Sequence, residues 1–385
     1  MKLKSLNIYS FHVRAKTDWL ILELISTEDI KGYSEITMSN YDQRTTLISS
    51  VKKLIKVLSK IDIENDEQLK NILETDKKET LSYNTAISGL RSACTDIFSK
   101  AQNIPLNKYL NHKYKKGIIL KDVELYANIN RSLLPNDDGP VDRTPNSFLT
   151  MAKKARDAGF RKIKCAPFDG FGNADYENNE FIKKGIDNVS LISKNLSYEI
   201  ETLVDCHSKF NFNDSIKVEK QLFDLGIKWF EEPMNPINNL EELKLIRSKI
   251  NGKLVGGEEF YGVKKFYNLI NNNYLDIVMP DVKYCGGLEE AIKIGIELEN
   301  ISRECFSIHC PSGPISLAGS AHVTSALSSK LPLEHAVFEL EDRKEFVLPN
   351  ENIVKGKYII NENIGIGVVP NFSKKNKILY NEKIN

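Results

Sequence analysis

Residues 229–259 read WFEEPMNPINNLEELKLIRSKINGKLVGGEE: a β-type run closing on Glu231, a helical stretch, and a second β-type run closing on Glu258. The same unit recurs on both sides. Asp205, Glu231, Glu258, Asp281, His309 and Glu334 follow one another at gaps of 26, 27, 23, 28 and 25 residues. One strand, one helix and two short loops take up about that length, so each polar residue marks a strand end. In a barrel of parallel strands the carboxyl ends converge on one mouth, which makes these six distant residues neighbours.

Working outward, strand and helix alternate from Val123 onward. The strands read VELYANIN, RKIKC, YEIETLVD, IKWFE, KLVGGE, LDIVMP, CFSIH and PLEHAV, with room for seven helices between them. Thr144 and Pro145 open the first helix and Gly159 closes it; the third is expected to begin at Asn213 or Asp214 and stop at Gly226. The region before Val123 differs. LKSLNIYSFHV, DWLILELIST and GYSEIT read as three strands, followed by helices with Leu47, Val51, Leu54, Ile55 and Leu58, then Ala86, Leu90, Ala93 and Ile97, on their apolar faces. The expected fold is therefore a (β/α)7β TIM-like barrel with an α+β capping domain formed by the N-terminal part and the C-terminal tail. The expected boundaries are 1–122 for the cap, 123–348 for the catalytic barrel, and 349–385 for a segment returning to the cap.

With 53 Lys plus Arg against 52 Asp plus Glu, the net charge of +1 gives no long-range pull toward nucleic acid or an anionic membrane. The cluster His112, Lys113, Lys115, Lys116 reads as a solvated linker. No run reaches membrane-spanning length and the first residues lack a secretion-type apolar core, so a cytoplasmic location is expected. The six cysteines have no CxxC spacing, which argues against a thiolate zinc site. Cys165, Cys206 and Cys310 each follow a strand-end residue, so alternation turns them away from the barrel axis into packing.

Asp205 in VDCH, Glu231 in WFEEP and Glu258 in VGGEE supply three hard oxygen donors, the donor type of a divalent cation. Without one, three carboxylates at one mouth would repel each other. Glu232 and Glu259 are adjacent competitors for the inward face. Asp281 in MPDVKYCGG and His309 in SIHCPSGP make a carboxylate–imidazole pair suited to a general base. His207, two residues beyond Asp205, is placed to act as a general acid. His322, within a small-residue helix, reads as structural. The loops Ser10 to Asp18 and Met38 to Arg44 are expected to face the substrate, with His12 and Arg14 as candidate contacts; pattern alone does not assign His12, whose default placement is the surface.

With GYSEIT in the first domain and VDCH, WFEEP, VGGEE, MPDVKYCGG and SIHCPSGP in order along the barrel, the chain resembles the enolase superfamily in its mandelate racemase-like subgroup. The resemblance spans nearly the whole chain. It implies magnesium held by Asp205, Glu231 and Glu258, Asp281 and His309 as the base dyad, and Glu334 as a donor or carboxylate-binding residue, with His335 and Glu339 as its competitors. The family's racemases carry Lys-x-Lys on the second strand. Matching the Gly159-Phe160 lead-in puts the first Lys at Lys164 and Ala166 in place of the second; a slipped register would read Lys162 and Lys164. The first register leaves one face without a Lys base while His207 supplies an acid, as in acid-sugar dehydratases of the galactonate dehydratase type. The expected activity is then loss of water from an aldonate or aldarate, giving a 2-keto-3-deoxy acid. Enolase-superfamily sites in general use a Lys or His base with a magnesium-stabilised enediolate. A racemase or epimerase of a 2-hydroxy or amino acid, with His309 on one face and Lys162, Lys164 or His207 on the other, is the enzymatic alternative, and a non-catalytic binding scaffold the remote one. The expected partner is a small carboxylate substrate, with no nucleic acid and no membrane, and the expected assembly a symmetric homo-oligomer.

Overall fold

The computed structural model describes residues 1–15, 17–38, 41–75, 78–114, 117, 119–170, 180–302 and 304–384. Three strands, β1 (Leu3–Arg14), β2 (Thr17–Ser26) and β3 (Lys31–Glu35), form an antiparallel meander. Their alternation puts Leu6, Ile8, Leu20, Leu22 and Leu24 on one face. That face is covered by α1 (Arg44–Leu58) and α3 (Leu81–Ala101), with α2 (Asp66–Glu74) beside them and α4 (Leu106–Tyr114) leading toward the barrel. Asn65 and Thr80 cap α2 and α3 by accepting from the backbone N–H groups of Gln68 and Tyr83. Residues such as Leu22, with no exposed surface, would cost about 2–5 kcal/mol on truncation to Ala.

Eight parallel segments follow: β4 (Asp122–Asn128), β5 (Lys162–Cys165), β6 (Glu201–Asp205), β7 (Trp229–Glu231), β8 (Lys253–Gly256), β9 (Ile277–Val278), an extended run through 305–309, and β10 (Leu333–Ala336). Helices α5 (Pro145–Asp157), α6 (Glu180–Leu196), α7 (Phe212–Asp224), α8 (Leu240–Arg247), α9 (Val263–Asn271), α10 (Leu288–Glu299) and α11 (Pro314–Ser325) connect them. Hydrogen bonds run from β4 through β9, cross to the seventh segment by Ser307 N–H to the Val278 carbonyl, and reach the eighth by Glu334 N–H to the Ile308 carbonyl. β10 then pairs with β4, so the ring returns to its start. Tyr126, Leu203, Trp229, Val255, Ile277 and Met279 fill its interior. Cys165, Cys206 and Cys310 are buried in the shell between strands and helices, and all six cysteines are free.

After the barrel come β11 (Val347–Leu348), β12 (Ile353–Val354), β13 (Lys357–Ile359), β14 (Val369–Pro370) and β15 (Asn376–Lys383). β15 pairs antiparallel with β1, Ser5 opposite Lys383, so the N-terminal sheet has four strands and not the expected three. The third barrel helix also begins earlier than expected. Asn211, in extended backbone, accepts from Asp214 N–H and starts α7 at Phe212, which leaves Asn213 and Asp214, equally good capping types, inside the first turn. The basic cluster is only partly a solvated linker: Lys113 lies 2.6 Å from the buried Glu289, while Lys115 and Lys116 fall outside the described residues.

The N-terminal unit grips the barrel at two buried joints. Arg91 of α3 donates to Asp66 at 2.9 and 2.7 Å and to Glu290 of α10 at 3.0 Å. Glu35, ending β3, accepts from Gly313 N–H and Ser316 N–H at the start of α11. A Cβ at Gly313 would stand 2.8 Å from the Glu35 carboxylate and from Trp19, so this approach requires glycine. Among the described residues no helix is long and apolar enough to cross a membrane.

Candidate active site

The strand ends open onto a cavity of about 260 Å³ lined by Asp205, His207, Asp169, Glu258, His309 and Lys283 on the barrel side and by Thr17, Asp18, Met38 and Arg44 on the other. His309 is held from both ring nitrogens: Nδ1 lies 2.9 Å from Asp281 and Nε2 lies 2.8 Å from Glu258. Burial would lower its pKa, but Glu258, Glu334 and Asp281 raise it well above the ordinary value. Asp281 also accepts from Lys283 Nζ at 2.7 Å, and its pKa is lowered: burial pushes up, Lys283 and His309 pull down harder.

Lys164 points into the ring, 2.7 Å from Glu231 and 2.9 Å from Glu334. Burial opposes its charge, and those two carboxylates outweigh burial and raise its pKa well above normal. Lys162 sits at the far end of β5, paired with Glu201 across the strands, and Ala166 is buried. Thus Lys164 is the inward lysine. Glu334 likewise faces inward, accepting from Asn128 at 2.7 Å and Cys310 N–H at 3.0 Å. Its neighbours do not compete: His335 stacks on Phe160, and Glu339 binds Arg343 and Arg131.

On the third strand, Asp205 accepts from His207 N–H at 2.9 Å and its other oxygen lies 2.9 Å from His207 Nε2. His207 has a left-handed φ of 46°, which folds its ring back toward the strand end. The crowding around it would lower its pKa; Asp205 and Asp169 raise it well above normal.

Three carboxylates expected to serve a metal are thus spread over successive strand ends. Among the described residues, no three carboxylate, imidazole or thiol groups stand converged on one point for an ion. Asp205 turns to His207, Glu231 to Lys164 and Trp229, and Glu258 to His309. The charge, however, suits a cation. Burial, with Asp205 and Glu334 adding to it against Lys164, pushes Glu231 up to about 8. Burial and then Glu258 drive Glu232 well above the carboxylate range. Glu232 has a left-handed φ and accepts from Gly257 N–H, so of the adjacent pair it is Glu231 that enters the ring interior. Such crowding of hard oxygen donors is relieved by a divalent ion, which the donor set fits in type and charge.

Four features escape the sequence reading. Asp169 bonds His207 Nδ1, and Lys283 shares Asp281; the latter had a signal, since Lys283 is two residues past Asp281. Asn128 and Glu35 act through partners distant in sequence. One expectation is corrected: Arg14 is buried and donates to the carbonyls of Arg131, Leu134 and Glu339, away from the cavity. His12 lies exposed at the surface, its default placement, where it bridges Asp18 and Asp137. Of the loop 38–44, residues 39 and 40 fall outside the described residues. His322 is buried and accepts from Asn107 N–H, a structural placement.

A family model described as enolase C-terminal domain-like matches residues 148–374. D-gluconate/D-galactonate dehydratase of Picrophilus torridus is 25% identical, covering 98% of this chain and 94% of its own. A hydrophobic dipeptide epimerase of Enterococcus faecalis is 23% identical over 85% of this chain and 88% of its own. The crystal structure of a member of the enolase superfamily from Salmonella Typhimurium superposes with a TM-score of 0.84 at 23% identity, over 99% of this chain and 100% of that one, a likeness of fold.

Proposed function

The chain belongs to the enolase superfamily, through its enolase C-terminal domain-like family, and from that premise we propose that it is a magnesium-dependent hydro-lyase acting on a sugar acid. The observation that carries this reading is the placement of two imidazoles. His207 follows the third segment of the ring and His309 ends the seventh, so in a ring of eight they stand opposite, with the cavity between them.

Asp205, Glu231 and Glu258 are the residues that would hold magnesium. Bound there, it would supply Lewis-acid stabilisation of the negative charge developing on the substrate carboxylate. His309 takes the proton from the carbon next to that carboxylate through Nε2, while Asp281 fixes Nδ1. Lys164 places a fixed positive charge between Glu231 and Glu334, where it favours charge building up at the mouth. His207 gives its proton to the departing 3-hydroxyl, water leaves, and the enol becomes a 2-keto-3-deoxy acid.

The epimerase reading needs a second base opposite His309. Ala166 supplies none, and Lys164 is engaged by two carboxylates, so His207 would have to take that role in place of donating a proton to the leaving hydroxyl. Incubating the protein and magnesium with a panel of aldonic and aldaric acids should yield a 2-keto acid from at least one. Inverted substrate without keto acid would replace the dehydratase by an epimerase.

A further inference from the structure

Resting on the dehydratase reading, we infer that Asp169 is the positioning partner of His207, forming a second carboxylate–imidazole dyad across the ring from Asp281 and His309. Both Asp169 carboxylate oxygens lie 2.9 Å from His207 Nδ1. The carboxylate is itself held: Asn130 Nδ2 donates to it at 3.3 Å, and Lys209 Nζ lies 3.8 Å away. Asn130 is fixed in turn by Arg143, whose guanidinium donates to Asn130 Oδ1 at 2.9 Å and to the Ala166 carbonyl at 2.7 Å. Asp169 N–H donates to that same carbonyl, so the turn leaving β5 is tied down around it.

His207 needs such a partner. Its ring hangs from a left-handed turn beyond the end of β6, where the ladder no longer restrains it. Its other carboxylate contact is Asp205, one of the residues proposed for the metal, and a carboxylate turned toward a cation is a poor sole anchor for an imidazole. With Nδ1–H donated to Asp169, the proton to be transferred sits on Nε2, on the side of Asp205 and the cavity. The step balances within the proposed reaction. The Nε2 proton passes to the 3-oxygen, the C3–O electron pair leaves with that oxygen as water, and the electrons released by α-proton removal form the C2–C3 double bond. Asp169 touches no reacting atom in this step; it sets the tautomer and direction of the ring that does.

The test compares Asp169→Asn, Asp169→Glu, His207→Asn and the Asp169→Asn/His207→Asn double variant with the unaltered protein, each with magnesium and an acid the unaltered protein turns over. Two rates are read: keto-acid formation, and exchange of the α-hydrogen in heavy water. For Asp169→Asn, dehydration should fall roughly 10- to 100-fold while exchange stays within about threefold. Asp169→Glu should recover part of the loss, and the double variant should be no slower than His207→Asn. Undiminished dehydration in Asp169→Asn, equal loss of both rates, or additive losses in the double variant would overturn the inference. If the unaltered protein neither exchanges nor dehydrates any acid, the dehydratase reading itself fails and takes the dyad with it.

Discussion

His309 and His207 stand four positions apart on a ring of eight, yet the first side chain is 8% exposed and the second 43%. On the His309 side the N-terminal unit reaches down to the barrel. Glu35 caps the turn after His309, Ser88 accepts from Gly286 N–H beyond Asp281, and Arg91 binds Glu290 of the helix that follows. On the His207 side the described contacts run within the barrel, through Asp169, Asn130, Lys209 and Asp205. On the proposed roles the more buried imidazole is the base, whose proton abstraction from a weak carbon acid gains from a fixed position. The difference in burial fits that division of labour.

The largest expected effect breaks the buried side. His309→Asn should abolish both dehydration and α-hydrogen exchange, by at least about 100-fold, with circular dichroism unchanged. Retained exchange in that variant would remove His309 as base. Removal of the metal should act on both sides at once. Exhaustive chelation, or Glu231→Ala in the folded protein, should leave no measurable turnover, and added magnesium should restore only the chelated sample. Full turnover after chelation would contradict the proposed metal.

The joint that clamps the His309 side should appear in stability. Arg91→Met leaves Asp66 and Glu290 buried without their shared guanidinium and should cost about 3–5 kcal/mol at pH 7. Burial pushes both carboxyls up, but Arg91, with Lys293 near Asp66 and Lys70 near Glu290, holds both below the usual range. A carboxyl depressed in the folded state contributes stability above its unfolded pKa and loses it as pH falls through the folded pKa. Thermal melts from pH 7 to 3 should therefore show the gap between Arg91→Met and the unaltered protein narrowing below about pH 4. A constant gap would assign the joint to packing alone.

The barrel was legible because one polar residue recurs at six successive strand ends of the eight, a local period that needs no long-range pairing. Its seventh segment was read as a strand, CFSIH, but lies extended with a sparse ladder. Pro280 on the neighbouring segment has no N–H to give to the Ser307 carbonyl, so between Ser307 N–H to Val278 and His309 N–H to the Pro280 carbonyl the alternate ladder bond is absent. β15 was not foreseen as the fourth strand of the N-terminal sheet, since nothing near residue 380 encodes its pairing with residue 8. Asp169 escaped for a related reason. It belongs to no strand-end series, and its partner His207 is 38 residues away on another loop. The loop position of Arg14 suggests a substrate contact, whereas burial turns it onto backbone carbonyls; His12, at the surface, is held by two carboxylates.

The sharpest test of a base on one side and an acid on the other is proton NMR of the substrate α-hydrogen in heavy water with His207→Asn, magnesium and an acid the unaltered protein dehydrates. The two-sided account predicts that the α-hydrogen still exchanges, within about threefold of the unaltered rate, while keto acid forms roughly 100-fold more slowly. If His207→Asn loses exchange while His309→Asn keeps it, the two imidazoles have been assigned to the wrong sides.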